Sequence, residues 1–213
     1  MSAKLGLSAK MYRTIAAVIT NSVLTSNVVT ITTQAAHGFT VGQLVKVACV
    51  THTALNGTFV IASTPTGTTF TYALTHADVT TSADSGPATE YYEITNAKDV
   101  SLGLDKGEAD VSTRAGAGWK QTFDSLKDAS IEFDMIWDTS DVSLVALSNA
   151  FFGNTMISMA IMDGPYNIST SQGLECPMTI VKFERKEPLA EAMMVSVSVR
   201  PGYGTAPVWT TIP

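Results

Sequence analysis

The chain has 213 residues, 45% of them hydrophobic and 15% charged, and its net charge is 13 − 19 = −6. This balance excludes an intrinsically disordered chain, and the lack of any apolar run near ~20 residues excludes a membrane-spanning helix. An acidic chain without a basic cluster also lacks the Lys and Arg that grip phosphate, and no basic start, apolar run and cleavage site marks a signal peptide.

Composition changes along the chain. Residues 20–88 carry three charges (Lys46, Asp78, Asp84), all three His and 17 Thr. The other 144 residues keep 13 − 1 = 12 basic and 19 − 2 = 17 acidic groups, a net −5. Such a shift predicts separate domains: 1–19 and 89–213 as one body, with 20–88 inserted between.

Within 20–88, strands are predicted at Val28–Thr33, Leu44–Cys49, Thr58–Ile61 and Thr69–Tyr72. His37-Gly38, Val41-Gly42, Asn56-Gly57 and Pro65-Thr66-Gly67 punctuate them as turns. This spacing predicts a small all-β domain, with Asp84–Pro87 as its exit. Phe39, Phe59, Phe70 and Tyr72 read as its core, although aromatics of this kind also build carbohydrate faces. Cys49 and Cys176 lie far apart and read as small reduced core residues. His37, His52 and His76 lack the spacing of metal ligands.

Beyond residue 88 the pattern stays β. Val100, Leu102 and Leu104 alternate with polar neighbours, as do Ile131, Phe133 and Met135, and Val195, Val197 and Val199. Met156–Met162 and Met178–Phe183 are evenly apolar, which predicts strands covered on both faces. One helix is predicted over about 140–152: Thr139 or Ser140 caps it, Asp141 lies in its first turn, and Leu144, Leu147 and Phe151 form its stripe. Gly153 reads as a left-handed stop. Residues 105–128 are polar and glycine-rich and are predicted to be a long loop, where Trp119 either anchors a partner or plugs the local core.

Chemistry is absent from the motifs. Glu132 and Asp134 share one face of a strand, but alternate acids are more often a solvated face than a glycosidase pair. No nucleophile elbow, phosphate loop or dinucleotide fingerprint occurs. The expectation is a non-enzymatic protein without cofactor or metal.

Tyr92-Glu93-Ile94-Thr95-Asn96-Ala97-Lys98-Asp99-Val100-Ser101-Leu102, then Gly107–Arg114, then Leu126–Phe133 and the helix from Asp141, stand in an order that resembles the major tail tube proteins of tailed bacteriophages. The likeness spans 1–19 and 89–213. Residues 20–88 resemble instead a small β module of phage structural proteins. The resemblance implies a β-sandwich or barrel with one flanking helix, assembled as six-fold rings that stack into a tube. Its partners would be further copies of itself, the tape measure protein and, in some tails, a sheath protein. Genomic DNA would pass through without specific binding and without membrane insertion, and the protein would reside in the virion tail.

Mapped onto this chain, 105–128 would be an inter-ring loop, with Glu108, Asp110, Arg114 and Trp119 at the contact. Glu132 and Asp134 would line the channel, where carboxylates repel phosphate. The N-terminal arm (Ser2–Tyr12) and the tail (Gly202–Pro213) would bridge subunits. The inserted module would face outward as decoration or a weak host-surface binder. A receptor-binding tail protein and a tail terminator ring are the alternative readings.

Overall fold

The computed structural model describes residues 6–48 and 51–212. The fold is mainly β with one α-helix, and its strand pairings are antiparallel. Two compact units divide it: Met1–Thr95 with Ser158–Glu175 and Val208–Pro213, and Asn96–Ile157 with Cys176–Pro207.

In the first unit, β1 (Lys10–Thr25) is a 16-residue strand. Its first half pairs with β8 (Pro87–Glu93) and β11 (Ile157–Met162). Its second half pairs with β2 (Val28–Thr33) and β7 (Val79–Ala83). Ser26 and Asn27 both take positive φ (52° and 64°), so β1 turns into β2 through a two-residue loop whose twist matches the strands. β3 (Leu44–Val47) lies between β8 and β4 (Gly57–Val60), and β6 (Thr69–Ala73) between β2 and β5 (Ser63–Thr66). β14 (Val208–Thr211) pairs with the start of β12 (Gln172–Lys186), so part of the expected C-terminal tail is a strand on its own chain.

Alternation along β2 sends Val29 and Ile31 inward, where they meet Leu24, Val45, Phe70 and Tyr72 in one buried cluster. Ile19 and Ala88 belong to that same cluster, and Ile15 and Ala17 pack against it. β1 runs through position 19/20 with only a bulge there, and residues 20–88 share their core with residues before them. Phe39, Phe70 and Tyr72 are core, as expected, and Phe59 stacks on Tyr72 at 4.2 Å. β5 and β7 were not legible in the Thr-rich sequence; β5 carries the Pro65-Thr66 read as turn. Cys49 and residues 2–5 lie outside the described residues.

A second cluster joins Tyr12, Tyr91 and Tyr166. Tyr91 and Tyr166 stack at 3.6 Å and Tyr12 meets both edge-on. The Tyr91 hydroxyl donates to the Tyr166 hydroxyl at 2.7 Å, and burial pushes both phenols well above their usual range.

In the second unit, the remainder of β12 pairs with β13 (Met194–Pro201), β13 with β10 (Thr122–Ile136), and β10 with β9 (Ala97–Asp110). Ile131, Phe133 and Met135 face inward with Val195, Val197 and Val199, as the alternation predicts. Helix α1 (Val142–Phe152) buries Leu144, Leu147 and Ala150, and Phe151 stacks on Phe183 of β12 at 5.7 Å.

The helix ends differ from expectation. Asp141 is itself the N-cap, its carboxylate accepting the Ser143 and Leu144 N–H groups at 2.7 and 2.9 Å. A short carboxylate reaches both free amides, leaving Thr139 and Ser140 outside the helix. Gly153 is right-handed, and Asn154 adopts the positive φ of 50°.

Two strand readings also change. Met178 and Ile180 are buried but Thr179 and Val181 are exposed, so that part of β12 is covered on one face only. Along β9, Val100 and Leu104 are exposed despite their alternation.

Candidate functional site

Residues 105–128 are not a loop for most of their length. β9 and β10 continue as a long hairpin, with Asp105, Lys106, Glu108, Ala109 and Asp110 in register with Asp128, Lys127, Asp124, Phe123 and Thr122. Only 111–121 forms the tip. There the Val111 N–H donates to the Gln121 carbonyl at 2.9 Å and the Gln121 N–H to Ser112 Oγ at 2.8 Å. Arg114–Gly116 make one 3-10 turn, and Ala117 and Gly118 turn back through positive φ (50° and 86°). The glycine content suggested a flexible loop, whereas ladder pairing carries the backbone almost to the tip.

Every residue from Asp105 to Asp128 except Gly116 is exposed. Trp119 is 79% exposed, Phe123 69% and Leu126 85%. Trp119 thus plugs no local core. Phe123 and Leu126 escaped the sequence reading; their signal was a large apolar residue every few positions in an otherwise polar stretch.

The charges of the arm are poorly matched within the chain. Asp124 stands opposite Glu108, Lys127 opposite Lys106, and Asp128 opposite Asp105. Like charges directly across a ladder are unfavourable. Partial relief comes from Lys106 bonding Asp124 diagonally and from Arg200 of β13 bonding Asp128 at 2.5 Å. Glu108 has only like charge across the ladder. Asp110 accepts hydrogen bonds from the Ser112 hydroxyl and N–H, which hold its carboxyl below the usual range. Arg114 and Trp119 both lie on the exposed tip.

Glu132 and Asp134 do share one face of β10. Glu132 is exposed, opposite Ser198 on one side and Ser101 on the other. Asp134 is half-buried, accepts from the Ser196 hydroxyl, and lies 3.8 Å from Lys186 Nζ. Across β13 the same face continues with Lys182 and Glu184, paired at 2.6 Å. Bonding to Glu184 raises the Lys182 pKa, with further upward pulls from Glu132 and Asp134. The face is therefore a serine-bearing mosaic of both signs, and the two carboxylates sit among lysines.

Among the described residues, no group of three or more His, Cys, Asp and Glu converges on a point that could hold a metal. His37 is buried by its aromatic neighbours: its Nδ1 accepts the Phe39 N–H at 2.9 Å and its ring lies against Phe39 and Phe70.

No family model and no curated protein matches the chain. Three solved assemblies contain chains of similar outline. A chain from the tail of an empty GTA particle, determined with C6 symmetry, is 13% identical, with 57% of this chain and 87% of that one covered and a TM-score of 0.48. A chain from the virion of a native gene transfer agent particle gives 13%, 57%, 89% and 0.48. A chain from the six-fold symmetrised baseplate of the anti-feeding prophage gives 8%, 82%, 96% and 0.39. At that level of likeness, fold and role rest on this chain's own residues.

Proposed function

We propose that the chain is a structural subunit of a bacteriophage tail tube, assembling into six-fold rings that stack around a channel for DNA. The observation that carries this reading is the uncovered hairpin. An arm that exposes Trp119, Phe123 and Leu126 together, with like charges opposed along its ladder, has unfilled demands for apolar cover and counter-charge. A neighbouring copy supplies both. The segment order that resembles tail tube proteins supports the same reading.

In this assembly the tip of the hairpin, with Glu108, Asp110, Arg114 and Trp119, reaches the next ring. The open face carrying Glu132 and Asp134 lines the channel. Its pairing with Lys182 and Lys186 changes how passage works. The wall is not a sheet of negative charge: its carboxylates stand among Lys182, Lys186 and serine hydroxyls, so DNA meets a mixed, weakly acidic surface with no net attraction. Residues 20–88 lie outside the channel, since a module of that bulk would block it, and serve as decoration or a weak surface binder. The tape measure protein fills the channel before ejection, and a sheath surrounds the tube where the tail contracts.

Sedimentation of the purified full-length protein tests the reading. Polymers that grow with concentration are expected. A closed single ring would favour a tail terminator, a trimer that binds glycans would favour an adhesin, and a monomer at every concentration would refute assembly altogether.

A further inference from the structure

Glu90, in the middle of β8, is fully buried at 0% exposure. It sits in register with Ile15 of β1 and Val45 of β3. One carboxylate oxygen accepts the Thr40 N–H at 2.5 Å; the other has no hydrogen-bond partner. The charged group facing it from β1 is Arg13, whose guanidinium lies over Tyr92 and whose Nε is also buried without a partner. On β3 and β8, Lys46 and Glu93 are one and three positions away and so point to the opposite face. From the 34–43 connection, the titratable neighbour is His37, engaged with Phe39 and Thr69.

Thr40 is the centre of a short segment, 38–42, with a left-handed glycine at each end: Gly38 at φ +67° and Gly42 at φ +87°. Both glycines face open space, and Thr40 and Val41 are exposed. Two pivots therefore flank a piece of chain joined to a buried acid by the Thr40 hydrogen bond, held in addition by Phe39, which packs on His37 and Phe70, and by the Gly42 N–H on the Ile61 carbonyl.

We propose that 38–42 is a proton-linked flap: closing it over Glu90 retains one proton on the carboxyl, and opening it releases that proton to water, so the flap opens as pH rises. A carboxylate without a full set of donors is costly inside an apolar core, and the neutral acid costs much less. The open flap hydrates the carboxylate and removes that cost. Burial accordingly raises the Glu90 pKa to about 7, against the pulls of the Thr40 bond and Arg13.

Amide hydrogen exchange on the full-length protein at pH 5, 6, 7 and 8, corrected for intrinsic rates, tests this. Peptides covering 38–42 should show an opening constant that rises by up to about tenfold per pH unit below 7 and then levels off. Peptides from β2 and β6 should stay far better protected at every pH, so that the flap opens without global unfolding. Glu90→Gln should flatten the flap's profile. A flat profile in the parent protein, or an unchanged slope in Glu90→Gln, overturns the proposal. Should that variant fail to fold, a carbon-detected titration of Glu90 in the parent protein decides: a midpoint near neutrality supports the flap, and one near 4.5 refutes it.

Discussion

At the residue scale, three positions carry most of the local argument. A Cβ on Gly173, near the start of β12, would stand 1.9 Å from the Ile161 carbonyl oxygen, a backbone atom that cannot yield. Gly173→Ala should destabilise the protein by roughly 2–3 kcal/mol, read as a lowered denaturation midpoint. Asp141 caps α1 through two amides, so Asp141→Ala should cost about 1 kcal/mol by the same measurement. Glu90 gives a pH dependence with a definite sign. Its folded pKa of about 7 exceeds the ordinary 4.5, so the folded state binds more protons between these values. Stability therefore falls as pH rises from about 4.5 to about 7, by about 3 kcal/mol, and is flat beyond. Glu90→Gln should abolish this slope in urea titrations at pH 5 and pH 8 and make the variant the more stable protein at pH 8. Asp141 was legible as a first-turn acid but not as the cap, and the other two were not legible in sequence. Gly173 looks like any strand residue, and Glu90 lies in a Tyr-rich run without alternation; both depend on what another strand brings near.

At the element scale, alternation works where a strand has one covered face and fails where it has none or two. Ile131, Phe133 and Met135 were readable because one face of β10 is buried there and the other is not. Val100 and Leu104 show the same periodicity, yet both are exposed, and only a partner would restore its meaning. Glycine and charge concealed the hairpin at 105–128, since ladder hydrogen bonds tolerate both. The helix was legible to within two residues; its caps were not, because Thr139, Ser140 and Asp141 all suit the position and geometry chooses. The hairpin carries its own prediction. Phe123→Ser with Leu126→Ser should leave the monomer's circular dichroism and melting temperature within about 2 °C of the parent, because both side chains are already solvated. The same pair should abolish polymer formation in sedimentation. Loss of the monomer fold instead would mean that the arm is internally packed.

At the scale of the whole molecule, composition suggested more independence than the fold contains. The Thr-rich stretch is near-neutral and distinct in texture, but β1 crosses its boundary, and Ile19 lies in its core with Ile15 and Ala17 packed against it. Charge followed a similar course. A net of −6 first excluded a nucleic-acid grip, and the acids then looked like a repulsive lining. In the fold Lys186 stands beside Asp134 and Lys182 pairs with Glu184 on the same face, which sequence could not reveal because both lysines lie some fifty residues from Glu132 and Asp134. The measurement that bears most directly on the central claim is electron cryomicroscopy of the purified full-length protein after assembly. The account predicts stacked six-fold rings in which Trp119, Phe123 and Leu126 of each copy are buried against an adjacent ring. Tubes in which that hairpin remains in solvent, or a failure to form any ring, would contradict it.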